Sequence, residues 1–267
     1  MAQQAMIATE REPGSPVAVV RIQREERRNA FDEEIIDGLT RAAESLREDD
    51  SLKAIVVTGG ARVFSSGADF ATLESLKTAS SVNAARRMAH RGSIMCKAWE
   101  SLPQVTIAAM EGAVVGAGVA LALACDWRVM AADAYVCVPE VLVGVTFGWG
   151  SIPRLTALVG PARAKRMVIL CQRHAAQEML DWGVADKVAD KGRALDCALD
   201  LARDVAALPA LATQIVKRSI NACSAALGDT ASHADMEQTL LCLTDAEGEA
   251  LRKRALEAIA GKKRRPG

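Results

Sequence analysis

The sequence predicts an α/β core followed by a helical third. Two observations carry this. Short β-branched runs alternate with segments of helical spacing as far as about Gly150, and such alternation gives a mainly parallel sheet. Beyond Gly150 the apolar residues recur almost entirely at helical spacing. The division expected is a flexible lead-in over residues 1–15, a core over 16–200, and a C-terminal helical region over 201–267.

Residues 1–15 carry no periodic pattern and read as ragged. Val17 to Ile22 is short, β-branched and bounded by Pro16 and charges, hence a strand. Arg24 to Ala30 is a polar loop. Asp32 to Leu46 repeats apolar residues at helical spacing, with Asp32, Glu33 and Glu34 placed to favour the N-terminal dipole. Lys53 to Thr58 reads as a buried strand stopped by Gly59-Gly60, and Val63 to Phe70 as a small-residue loop. A helix over 82–101, a strand over 105–110, a short apolar helix over 117–124 and strands over 127–131 and 136–138 follow. Helices are expected at 151–159, 162–170, 175–182, 191–207, 209–226, 231–243 and 246–260, with a short extended break over 186–189.

Composition excludes several classes. Half the residues are hydrophobic, enough for a large core, and 33 basic residues balance 33 acidic ones. A neutral chain lacks the basic surplus of a general nucleic-acid binder. Lys262-Lys263-Arg264-Arg265 is read as a solvated tail. The seven cysteines form no Cys-x-x-Cys pair and sit mostly in apolar segments, which points to reduced thiols and a cytoplasmic setting. The N-terminus lacks signal-peptide character, and Ala113 to Ala124 is too short to span a bilayer, so no membrane partner is expected.

The stretch from Met110 to Pro153 holds the longest apolar run and the most crowded glycines. Small residues at Gly116, Ala117 and Gly118 suit a close backbone approach to a ligand. A helix starting there offers free N–H groups to an oxyanion. Glu140 lies between Val138-Pro139 and Val141-Leu142-Val143, where desolvation would raise its pKa. Its structural alternative is a carboxylate satisfied by a backbone N–H or an arginine. Gly116 to Leu121 is a poor dinucleotide fingerprint, because Leu121 stands where glycine or alanine is expected. There is no Gly-x-Ser-x-Gly elbow or P-loop. His90, His174 and His233 are scattered through expected helices without metal-ligand spacing. The four tryptophans do not repeat at a binding-cage spacing, and most read as packing residues. In Phe64-Ser65-Ser66-Gly67-Ala68-Asp69, Asp69 suits a helix N-cap, and the Ala68 N–H suits a second donor to the oxyanion.

The chain resembles the crotonase superfamily of enoyl-CoA hydratases and isomerases. The matching pieces are Arg27 to Phe31, Val57 to Gly60, Phe64 to Phe70, Ala113 to Asp126, Pro139 to Gly144, Ser151 to Leu155 and Ala175 to Asp186, in that order. The resemblance implies a spiral of ββα units, with C-terminal helices that serve trimer contacts or form a lid. It implies assembly as a trimer or a dimer of trimers. It also implies an acyl-CoA substrate, with coenzyme A entering as part of that substrate and no separate cofactor or metal. Ala68 and Ala117 would supply the oxyanion-hole N–H groups. Arg27, Arg28, Ala30 and Ser66 would lie near the CoA nucleotide, and Asp69, Phe70, Gly116, Pro139 and Gly148 would join the substrate site. Glu140 would be the catalytic acid/base.

One departure narrows the chemistry. Hydratases of the family carry a glutamate where this chain has Ala120. A lone glutamate suits proton transfer from the α to the γ carbon of a thioester, the Δ3-to-Δ2 enoyl-CoA isomerase pattern. Hydratase and decarboxylase activities, and a non-catalytic CoA-binding role, are the alternatives. The dienoyl-CoA isomerase pattern lacks its further acids at Ala120 and Gly148. The acyl pocket is expected near Leu73, Leu142, Phe147 and Trp149.

Overall fold

The computed structural model describes residues 5–224 and 228–263, without the side chains of residue 229 and residues 258–263. The ends of the lead-in and the basic tail, and the last residues of the helix expected at 209–226, lie outside these.

The strands are β1 (Ile7–Glu10), β2 (Val17–Ile22), β3 (Ala54–Thr58), β4 (Val63–Ser65), β5 (Val105–Met110), β6 (Ala113–Val115), β7 (Trp127–Ala131), β8 (Tyr135–Cys137), β9 (Arg173–Ala175) and β10 (Lys187–Ala189). The helices are α1 (Glu33–Arg47), α2 (Phe70–Lys77), α3 (Val82–Glu100), α4 (Ala117–Ala124), α5 (Ser151–Leu170), α6 (Ala176–Asp181), α7 (Ala194–Ala206), α8 (Ala210–Ser224), α9 (Gly228–Ser232), α10 (Asp235–Leu243) and α11 (Ala246–Lys263). Glu25–Arg27 and Glu140–Val143 are short 3-10 turns.

One sheet runs β1-β2-β3-β5-β7-β10, parallel except for β1. A smaller sheet runs β4-β6-β8-β9, with β9 antiparallel to β8. Each of the pairs β3-β4, β5-β6 and β7-β8 sends its first strand to the large sheet and its second to the small one. A helix follows the first two pairs and a 3-10 turn the third, which is the ββα repeat that the resemblance implies.

The differences from expectation have local causes. The lead-in contains β1, which a partner strand creates: Ile7 to Glu10 pair with Ile22 to Val19, and Arg21 grips Glu10 with two hydrogen bonds. The small-residue loop at 63–70 begins with β4, and a further strand, β6, precedes α4. Both strands have only three residues, too few to show a period. His174 sits in β9 and not in a helix. The helices expected at 151–159 and 162–170 are both present within α5, divided as expected where Gly160 leaves the helical conformation (φ 73°, ψ 164°) ahead of Pro161.

The core lies around the large sheet. Every residue of α4 is buried. On α7, Ala194, Ala198 and Ala202 recur every fourth residue, and these small side chains seat the helix closely on β3 and β5. Glu111 caps α7 from outside, accepting the N–H groups of Ala194 at 2.9 Å and Gly192 at 3.2 Å. On α8, buried Lys217 donates to Asp126 at 2.6 Å and to the Gln104 carbonyl at 2.7 Å, which fixes the helical region to the core. Among the described residues no helix is long and apolar enough to cross a membrane.

Candidate active site

A buried asparagine organises one wall. Asn29 is fully buried and left-handed (φ 52°). Its side-chain amide donates to the carbonyls of Gly59 and Val63, and its Oδ1 accepts the Arg24 N–H at 2.9 Å. Ser65 donates to the Asn29 carbonyl at 2.8 Å and accepts the Gly67 N–H at 3.1 Å. The 66–69 backbone is then stitched to 28–31 through Ser66 N–H to Arg28 O, Phe31 N–H to Gly67 O, and Asp69 N–H to Phe31 O. Alternating bonds of this kind leave the Ala68 N–H pointing away from the ladder. Among the described residues nothing accepts it. Asp69 caps α2 by accepting the Ala71 N–H, as expected, and also pairs with Arg24 at 3.1 Å.

The second wall is the start of α4. Gly116 (φ 47°) donates its N–H to the Cys137 carbonyl, so β6 passes directly into the helix. Gly118 must be small, since a β-carbon there would stand 2.7 Å from that of Ser65. This approach packs the start of α4 onto β4. No side chain caps the helix, and the Ala117 N–H has no acceptor among the described residues.

The third wall carries Glu140. Part of the residue reaches solvent, but its Oε2 is buried and accepts no hydrogen bond. Burial pushes the carboxyl from its ordinary 4.5 up to about 8, and contact with its own backbone N–H only partly opposes this. Cys137 lies close by. Burial first, and the neighbouring carboxylate second, push its thiol up to about 11.

These walls enclose a cavity of about 190 Å³. Ser66, Ala68, Phe70, Gly116, Ala117, Pro139, Glu140 and Gly148 line it, together with Ala120. Arg27 and Arg28 are exposed on the adjoining 3-10 turn, and neither they, Ala30 nor Asp69 line the cavity. Leu73, Phe147 and Trp149 line it, and Trp149 also packs against the core. Leu142 does not line it, being 58% exposed. In a 3-10 turn residues three apart share a face, so Glu140 and Val143 face the cavity while Val141 and Leu142 face outward. Thr146 and Thr239 were not foreseen. Their hydroxyls bond at 3.0 Å, and Thr239 reaches the cavity from α10, a long way along the chain. Among the described residues no cluster of three metal-ligating side chains forms.

Two sheets wound from ββα units, with a buried carboxylate set against a helix N-terminus, define a crotonase fold. Residues 12–257 match the family described as enoyl-CoA hydratase/isomerase, and the chain belongs to that family of acyl-CoA enzymes. It is 34% identical over 205 residues to a probable enoyl-CoA hydratase of Mycobacterium bovis, which is 77% of this chain and 79% of the relative. It is 30% identical over 220 residues to the mitochondrial enoyl-CoA hydratase of Pongo abelii, 81% of this chain and 73% of the relative. A crystal structure of an enoyl-CoA hydratase/isomerase from Xanthobacter autotrophicus Py2 superposes with a TM-score of 0.85 at 28% identity, covering 99% of this chain and all of that one.

Proposed function

We propose that the protein shifts a double bond in an enoyl-CoA, from Δ3 to Δ2, with Glu140 as the only proton carrier. The observation that carries this is the cavity's composition: one carboxylate, whose buried Oε2 accepts no hydrogen bond, in the same cavity as Ala68 and Ala117, whose N–H groups have no acceptor among the described residues, and the methyl of Ala120. The thioester carbonyl binds to the N–H groups of Ala68 and Ala117. The Glu140 carboxylate takes a proton from the α carbon, and the electron pair of that C–H bond moves onto the carbonyl oxygen as a dienolate. The two N–H groups stabilise that oxyanion, each worth roughly 3–4 kcal/mol in the transition state. The protonated Glu140 then returns the proton to the γ carbon, and the double bond re-forms between the α and β carbons. Net atoms and charge are unchanged, and no water is needed.

The CoA nucleotide is assigned to the surface beside Arg27, Arg28, Ala30 and Ser66, and Asp69 supports that segment through Arg24. An exposed apolar face on α8 (Leu211, Ile215, Val216 and Ile220) supports assembly as a trimer or a dimer of trimers. Light scattering of the purified protein tests it. The seven unpaired cysteines support a cytoplasmic setting.

Hydratase activity is the second reading, favoured by the names of the relatives; a decarboxylase or a silent CoA binder comes after it. The deciding experiment supplies cis-3-enoyl-CoA and trans-2-enoyl-CoA separately and resolves the products by chromatography. Double-bond migration without water addition is the expected result. Rapid formation of 3-hydroxyacyl-CoA overturns it in favour of the hydratase. Tight CoA-ester binding without turnover overturns both in favour of a binding protein. Glu140→Gln abolishes turnover while CoA-ester binding persists.

A further inference from the structure

The 3-10 turn that presents Glu140 has no buried residue of its own. Val141 and Leu142 are exposed at 42% and 58%, so the turn has no hydrophobic anchor at its centre. Its internal hydrogen bonds, Gly144 N–H to Val141 O and Val145 N–H to Glu140 O, set its shape but not its place. Val143 at its end packs against Leu76, Val145 and Leu243, and the polar ties that hold the turn come from α11, the last helix of the chain.

Arg252 on α11 is 2% exposed. Among the described residues no carboxylate pairs with it, and its Nε has no acceptor. Its Nη1 donates to the carbonyls of Val143 and Gly144, both at 3.1 Å, and its Nη2 to that of Leu243 at 3.2 Å. The cation therefore sits on the carbonyl ends of the Glu140 turn and of α10 together, where the partial charge is negative. A buried guanidinium without a counter-ion is costly, and surplus stability alone does not explain its presence. Beside it the two backbones meet. Gly144 (φ 65°) and Gly248 approach so closely that a β-carbon on Gly144 would fall 2.4 Å from the Gly248 α-carbon.

We infer that Arg252 is a positioning residue, which locks the turn bearing Glu140 onto the C-terminal helix and keeps the carboxylate in its dry place against Gly116. The inference rests on the proton-carrying role proposed for Glu140. The charged and titratable groups around that carboxylate are few. Cys137 on β8 couples to it. The α4 wall offers none. On α11, Glu249 is engaged by Lys77 at 3.4 Å, which leaves Arg252 as the cation on the turn.

The test uses the full chain with Arg252→Met, Arg252→Lys and Gly248→Ala. Gly248→Ala keeps the guanidinium but adds a β-carbon 3.1 Å from Nη1 and 3.2 Å from the Gly144 α-carbon, wedging helix from turn by a few tenths of an ångström. Two readouts are taken. One is the pH profile of kcat and kcat/KM on the enoyl-CoA substrate. The other is the titration of the Glu140 carboxyl band by infrared difference against Glu140→Gln, which needs no turnover.

Arg252→Met is expected to lower kcat by about 10- to 100-fold with KM changed by less than about threefold, since misplacement acts on the chemical step. The carboxyl titration falls from about 8 towards the ordinary range as water reaches Glu140. Arg252→Lys restores part of both, and Gly248→Ala moves both in the same direction by less. An unchanged Glu140 titration in Arg252→Met overturns the inference, even if the rate drops. If Arg252→Met does not fold, the other two variants decide on the same criterion. If the wild-type protein turns over no enoyl-CoA, the functional proposal fails, and the infrared titration still tests whether Arg252 holds Glu140.

Discussion

The α-carbon of Gly116 lies directly against the carboxylate of Glu140. A β-carbon at position 116 would stand 2.5 Å from Oε1 and 3.4 Å from Cδ. The same glycine, at φ 47°, turns β6 into α4. One residue thus both exposes the helix N-terminus and leaves room for the carboxylate facing it.

Gly116→Ala strikes both roles. The backbone at Gly116 (φ 47°, ψ −108°) lies outside the regions an alanine adopts readily and costs it roughly 1–3 kcal/mol, and the methyl collides with Oε1 at a distance that real β-carbons do not adopt. The expected outcome is a folded protein with kcat reduced at least about 100-fold, because a displacement near 1 Å at the reacting groups has that effect. Steady-state kinetics beside a urea melt checks it. Retained turnover in a stable variant would remove Glu140 from the chemistry.

The raised pKa of Glu140 gives linked pH dependences. As a base it must be ionised, so kcat/KM for isomerisation climbs with pH and reaches half its plateau near about 8. Stability moves the other way. The folded pKa lies above the unfolded one, so the native chain holds an extra proton between 4.5 and about 8, and stability falls as pH rises through that window. Glu140→Gln cannot ionise. It should be more stable than wild type by about 4 kcal/mol at pH 8, and about equal to it near pH 4. Thermal melts at both values test this, and a constant offset across pH would contradict the burial of the carboxylate.

Much of this site is legible in the sequence, for a physical reason. Gly116, Ala117, Ala120 and Glu140 lie within one stretch of chain, where local composition reports on local surroundings. Ala68 is legible as a lining residue because small residues and an N-capping Asp69 mark its loop. Thr239 and Arg252 were not legible. Each sits on a C-terminal helix with no motif around it, and becomes informative only when the fold returns that helix to the Glu140 turn. Leu142 was misplaced because composition cannot tell which side of a four-residue turn faces inward. The sheet order was similarly half visible. Strands β2, β3, β5 and β7 are mostly apolar runs, whereas β4 and β6 have only three residues each, and β1 and β9 carry polar residues and pair antiparallel at the ends of their sheets.

Asn29→Ala removes the amide that holds the first wall. The Gly59 and Val63 carbonyls and the Arg24 N–H all lose a buried partner. Leaving such groups unsatisfied costs about 1–3 kcal/mol each before relaxation, and alanine tolerates the left-handed φ less well than asparagine. The expected outcome is a loss of about 3–5 kcal/mol in chemical denaturation, roughly the range for breaking a buried network. CoA-ester affinity also weakens, because the 66–69 segment loses its tie to 28–31. A variant with wild-type stability would refute the network's role.

Ala120→Glu tests what the missing carboxylate decides. Ala117 and Ala120 are three residues apart on α4, and both face the cavity, so a glutamate at 120 projects towards Glu140. It enters a helix whose every residue is buried, at a cost of about 1–3 kcal/mol if a bound water or Glu140 partners it. The like charge disfavours ionisation of both groups, so the pair shares a proton at neutral pH. Isomerisation, which needs an ionised Glu140, should slow. A water held between two carboxylates can now be deprotonated and added to trans-2-enoyl-CoA, and general acid–base assistance of this kind contributes about 100- to 10,000-fold. The expected outcome is a rise of about 100-fold, the lower edge of that range, in 3-hydroxyacyl-CoA formation over wild type, with a fall in double-bond migration. Chromatographic product analysis on both substrates measures the ratio. If the variant folds, binds the CoA ester and adds no more water than wild type, then Ala120 is not what separates this enzyme from a hydratase, and the choice of reaction lies in how the cavity walls around Trp149 and Thr239 seat the acyl chain.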